Sequence, residues 1–136
     1  MPILDTDRIR AGPALKAAIP ILLVRDVTAS ADFFRQKLGF EIDFLYGAPP
    51  FYGSVSRDGA CLHLRFVHEL VFHLAAAREE SLVCACIETD DVQALFEEFR
   101  TRGAPVAQTP ARQAWGGTDL HIPDPDGNVI AFVTYA

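Results

Sequence analysis

Basic residues are the scarcer charge in this chain of 136 residues: twelve Lys and Arg stand against eighteen Asp and Glu, a formal net charge of −6. The few cations are scattered singly, so neither sign nor clustering suits a nucleic-acid surface, and no nucleic-acid partner is expected. Long apolar runs are also missing; none approaches the roughly 18 residues of a membrane span, so no membrane partner is expected. The first eighteen residues carry Asp5, Asp7, Arg8, Arg10 and Lys16 without a continuous apolar stretch, unlike a signal peptide. These absences lead to an expected cytoplasmic location. Cysteine is sparse: Cys61, Cys84 and Cys86 are an odd number, and no disulfide framework is expected in a reducing compartment. There is no dinucleotide fingerprint, no phosphate-cradling Gly loop and no Ser-His-Asp order, and Gly116-Gly117 alone is too little to count. What remains is half apolar and the size of one domain, long enough to bury roughly 68% of its unfolded surface.

The chain repeats itself. Ile19 to Val24 reads as an apolar strand, Asp26-Val27 follows, and Ala31, Phe34 and Leu38 mark one face of a helix. The pattern returns 65 residues later: a strand over Leu82 to Ile87, then Asp91-Val92, then Leu95, Phe96 and Phe99 on a second helix. Gly39 and Gly103 end the two helices in the usual position. Strands are expected after the first helix at Phe40–Tyr46, Tyr52–Ser56 and Cys61–Val67, with turns at Pro49-Pro50 and Arg57-Asp58-Gly59. After the second they are expected near Val106 and at Thr118–Ile122 and Val129–Tyr135. Asp58-Gly59 corresponds to Asp126-Gly127 at an offset of 68. The fold class is therefore α+β, two βαβββ modules. Residues 1–17 read as an N-terminal extension and 18–136 as a single domain, with module one at 18–67, a linker or short helix at 68–80, and module two at 81–136. Neither half has core enough alone, so the two sheets are expected to join edge to edge, curve as one mixed sheet and enclose a groove.

Paired βαβββ modules, with Asp-Val opening each helix and Asp-Pro-Asp-Gly-Asn before the last strand, resemble the vicinal oxygen chelate superfamily of glyoxalases, extradiol dioxygenases, and fosfomycin- and bleomycin-resistance proteins. The likeness is nearest to the bleomycin-resistance proteins, through Ile19-Pro20 to Arg25-Asp26-Val27, Phe33-Phe34 to Leu38-Gly39-Phe40, and Trp115-Gly116-Gly117-Thr118 ahead of Asp124-Pro125-Asp126-Gly127. The metalloenzymes of that superfamily hold a divalent ion with His and Glu from the first and last strand of each module. Those positions fall here on Ile19, His63, Cys84 and Ala131. Two of these have no donor atom, whereas such ions need three or four protein ligands. No metal or other cofactor is therefore expected, and the electrophilic chemistry that depends on the ion is argued against.

The resemblance then implies a protein without a metal that sequesters a drug-like or cationic aromatic ligand in a groove of a homodimer. Candidate ligand-binding residues are His63, Arg65, Cys84, Glu88, Phe51, Trp115 and Asp119. Trp115 in its Gly-flanked loop either stacks on a planar ligand or caps the core. Phe44, Tyr46, Phe51 and Tyr52 form a second aromatic group around Pro49-Pro50. Glu88 and Asp119 either meet a cation beside the aromatic walls or are solvated strand-end carboxylates. Cys84 and Cys86 read as small buried side chains sharing one strand face; a reactive thiolate there would need a cation such as His63 or Arg65. His121 faces either the groove or water. The alternative is an enzyme of the same fold, a lyase, isomerase or oxygenase with an unrecognised metal site. A sensor or carrier for an apolar metabolite is a third reading.

Overall fold

Two aspartates start the two halves of the structure. Asp26 and Asp91 each accept a hydrogen bond from the backbone N–H three residues on, at Ala29 and Ala94, both 3.0 Å. This is the N-cap that satisfies an otherwise orphaned donor of the first helical turn. The computed structural model describes residues 12–70 and 74–135. Helix α1 runs over Val27–Leu38 and α3 over Val92–Thr101, and the short α2 at Leu74–Glu79 lies in the stretch read as linker. His73, with residues 1–11 of the extension, lies outside the described residues.

Eight strands complete the modules: β1 Ile21–Val24, β2 Glu41–Gly47, β3 Pro50–Arg57, β4 Ala60–Phe66, β5 Ala85–Glu88, β6 Gln108–Arg112, β7 Gly117–Pro123 and β8 Val129–Tyr135. They form two four-stranded mixed sheets of the same topology, β1-β4-β3-β2 and β5-β8-β7-β6, with β1 parallel to β4 and β5 parallel to β8. The first strand of each module is shorter than its apolar run. Pro20 has no N–H to donate, although its carbonyl still accepts from His63 at 2.9 Å. Leu82 and Val83 are exposed ahead of β5. The strand expected near Val106 begins at Gln108, because Val106 packs on the core instead. Pro50, expected in a turn, opens β3, a strand position where a missing N–H is harmless.

The core is a single cluster. Val27, Ala31, Phe34 and Leu38 from α1, with Val92 and Phe99 from α3, pack on Leu22, Val24, Leu62 and Leu64 of one sheet and Leu120, Ile122, Ile130 and Phe132 of the other. Phe99 meets Phe132 edge to face, ring centroids 5.1 Å apart. Gly39, at φ +74, reverses the chain after α1 where a side chain would also strike Arg57.

The sheets do not meet as expected. Among the described residues no backbone ladder joins β1 to β5; side chains span the seam. In the turn before β8, the Asp124 carboxylate accepts from the backbone of Asp126 and Asn128 and from the Asn128 amide. This aims Asn128 Nδ2 at the Leu23 carbonyl, 3.0 Å away, and Asp126 at the backbone and guanidinium of Arg25. Elsewhere Arg57 makes a bidentate pair with Glu98, at 2.9 and 2.8 Å, and also donates to the Leu38 carbonyl.

Burial pushes the Asp124 carboxyl up to about 6 despite its hydrogen bonds. A carboxyl with a raised folded pKa binds more protons in the native state. Stability on its account is greatest below the unfolded value and falls as pH rises through about 4 to 6. Glu98 is shifted the other way, chiefly by its bond to Arg57, and its contribution is lost as pH falls below the ordinary carboxylate range. The thermal midpoint should therefore peak at about pH 4, where the two opposing contributions balance, and Asp124→Asn should flatten the fall on the neutral side of that peak. An unchanged slope in that variant would show that another group controls it.

Candidate functional site

Strand alternation decides which side chains can meet a ligand. On β4, Leu62 and Leu64 point under α1, which leaves Cys61, His63 and Arg65 on the opposite face. His63 pairs across the sheet with Ile21 on β1 and Ser54 on β3. Its Nδ1 shares a 2.8 Å hydrogen bond with the Tyr52 hydroxyl, and Phe44 approaches its ring edge to face at 6.1 Å. An irregularity in β2 between Ile42 and Phe44 brings Asp43 to the same place, where it accepts from Ser54 and Ser56. Arg65 is exposed. Phe51 is one residue out of phase with Tyr52 and packs instead on Tyr46 at the hairpin end, centroids 5.3 Å apart.

The second sheet presents Cys86, Asp119, His121, Ala131 and Val133 on its corresponding face. Asp119 is buried, and both its oxygens are engaged: Oδ1 accepts from Gln108 and Gln113, each at 2.8 Å, and Oδ2 lies 3.1 Å from His121 Nε2. Burial alone would raise this carboxyl, but the bonds from Gln113, Gln108 and His121 outweigh it and hold it below the ordinary range. Trp115 is 58% exposed; it lies over Gly117 and tilts against Tyr135, centroids 5.8 Å apart. A Cβ at Gly117 would run into the indole, so the glycine permits this placement.

Within one chain these candidates fall into two groups. His63 and Arg65 belong to the first sheet, while Cys84, Glu88, Trp115 and Asp119 belong to the second module, and no hydrogen bond or ring contact among the described residues joins the groups. Cys84 and Cys86 are exposed, not buried as their apolar surroundings in sequence suggested. Cys86 lies on β5, the edge strand of its sheet, and Cys84 just ahead of it, so one flank has no neighbour. Partial desolvation, with Asp119 and Glu88 nearby, pushes the Cys86 thiol up, which opposes the reactive thiolate. Glu88 ends β5 beside a cleft between the modules. Gln108, Gln113, Asp43 and Ser54 were missed by sequence reading. Alternation on β7 marks Asp119 and His121 as one face, but the glutamines reach them through a cross-strand irregularity between Gln108 and Ala111.

The metal-bearing relatives' positions do not fit a divalent centre here. Ile19 and Cys84 lie ahead of their strands, and the residues paired with His63 and Ala131 are Ile21 and Cys86. Either set supplies one imidazole and one thiol, with His63 Nδ1 held by Tyr52. Among the described residues no three His, Cys, Asp or Glu side chains gather in a ligating group.

Truncating Asp119 to Ala should strand two amides and an imidazole and cost about 2 kcal/mol in urea unfolding. A loss within error of zero would mean that water satisfies those donors equally well.

The match to known proteins follows this geometry. The chain is 26% identical over 126 residues to the bleomycin resistance protein of Klebsiella pneumoniae, covering 85% of this chain and 90% of that one. The bleomycin-binding protein of Streptomyces verticillus, solved with copper(II)-bleomycin, superposes with a TM-score of 0.69 at 26% identity, covering 92% and 99% of the two chains. A glyoxalase-related enzyme from Clostridium phytofermentans superposes at 0.72 with 16% identity, covering 93% and 100%, a likeness of fold. The family model for the glyoxalase/bleomycin resistance protein/dioxygenase superfamily matches residues 16–132, and the chain belongs to that superfamily.

Proposed function

We propose that this protein sequesters a cationic, planar drug of the bleomycin class without transforming it, in grooves completed by a second copy of the chain. The observation that carries the reading is the division of the site. Each sheet presents half of a binding wall, His63 with Phe44 and Tyr52 on one and Trp115 with Tyr135 above Asp119 on the other. The exposed large apolar residues include Ile21, Phe44, Tyr46, Phe51, Trp115 and Tyr135, a concentration that favours a partner surface. In a symmetric dimer the first-sheet half of one copy faces the second-sheet half of the other, and both grooves close together.

Aromatic faces then stack on the planar part of the ligand, and Arg65 and His63 orient its polar part. A chain charge of −6, doubled in the dimer, draws a cation inward. The donor-poor positions at Ile21 and Ala131 supply no metal, so the bound molecule meets no electrophile. On this reading the protein acts in the cytoplasm, intercepting the drug before it reaches its target.

Titration with bleomycin should quench Trp115 emission and release or absorb heat with one site per chain, in a species sedimenting as a dimer. Trp115→Ala should weaken binding by about tenfold, equivalent to about 1.4 kcal/mol, and His63→Ala by a smaller factor. Unchanged emission together with absent heat would sink the assignment. One metal ion per purified chain, with activity abolished by a chelator, would favour the rival lyase, isomerase or oxygenase.

A further inference from the structure

The repeat makes the seam between the modules nearly two-fold, yet its two ends differ. At one end, Asp126 binds Arg25 and Asn128 binds the Leu23 carbonyl. Carried through the repeat, with 65 residues between the strand–helix junctions and 68 between the turns, these four positions become Asp58, Asp90, Ala60 and Glu88. An ion pair at one end is thus matched by two carboxylates at the other, and the bridging amide is matched by a methyl group. The second end cannot close as the first does. There the structure has a cavity of about 970 Å³, lined by Asp58, Ala60, Glu88 and Asp90, over an apolar floor that includes Leu62 and Phe132.

The cavity's own cation is already committed. Arg57 is held bidentately by Glu98 and by the Leu38 carbonyl, and it lies 4.0 Å from Asp58. Glu98 is in turn shared with Arg102, and Asp91 caps α3. No hydrogen bond or ion pair among the described residues reaches the side chains of Glu88 or Asp90. A positive group set between Asp58 and Asp90 would occupy the place that Arg25 fills at the opposite end, and an attached apolar body would cover the floor.

We propose that this cleft is a second binding site, for a small organic cation of the guanidinium or amidinium type with an apolar body, distinct from the sheet faces that carry Trp115 and His63. The site lies within a single chain and is independent of the drug-binding reading.

Benzamidinium tests it, with neutral benzamide as the control of equal shape. In amide NMR spectra of the intact protein, benzamidinium should bind in the millimolar range and shift residues 57–61 and 86–95. It should leave Trp115 emission unchanged, and benzamide should bind at least tenfold more weakly. Asp90→Arg supplies the missing cation internally: it should abolish benzamidinium binding and raise the thermal midpoint. Asp58→Asn combined with Asp90→Asn should lower affinity at least tenfold without a change of fold. Equal binding of benzamide, shifts centred on His63 or Trp115, no shift at all, or full binding by either variant would each overturn the proposal. So would nuclear Overhauser contacts from Arg8 or Arg10 into the cleft of the free protein, which would assign it to the chain's own N-terminal segment.

Discussion

The Asp124 carboxylate is the interaction on which the rest of the arrangement depends. It is buried and carries an expensive charge, yet its acceptor capacity is filled by two backbone donors and one amide of its own turn. That network is local, but its consequence is not. Only with the turn held in this shape do Asp126 and Asn128 project across the seam to a residue more than 100 positions away in sequence. A seam without a backbone ladder has no repetitive bonding to set its register. A few directional side-chain bonds do so instead, anchored by the buried Asp126 and Asn128.

The same economy explains where binding surface is available. Each module spends its helix-facing side on the common core, where Phe34 and Phe99 are fully buried. Each then has one uncovered sheet face. Polar groups on those faces are restrained before any ligand arrives: His63 by Tyr52, Asp119 by Gln108, Gln113 and His121. Preorganised groups lose little entropy on binding. The aromatics Phe44, Tyr46, Phe51, Trp115 and Tyr135 remain exposed beside them.

Much of the fold was legible because its signals are local and repeated. An Asp at the start of each helix, apolar residues spaced by three and four, and a Gly at each helix end act through neighbouring backbone, so the two halves could be recognised without knowing how they meet. Boundaries were less legible where a strand's end depends on its partner. Pro20 and Pro50 have the same missing donor, but one precedes the ladder and the other opens a strand. The site divided in the same way. Alternation placed His63 and Asp119 on strand faces, while the role of Asp119 as a saturated acceptor depended on two glutamines whose reach is set by an irregular register. The exposure of Cys86, and of Cys84 just ahead of the strand, goes with β5 being an edge strand, a fact of sheet order that residue type does not encode.

By itself, then, the sequence determined two copies of a βαβββ unit and an acidic balance, since each follows from residue identity at fixed spacing. Only the tertiary structure decided how the copies meet. One end of their seam closes through Arg25 and Asn128. The other stays open as a cleft: Asp90 and Ala60 stand where Arg25 and Asn128 stand at the first, and that difference matters only once the chain has brought distant residues together.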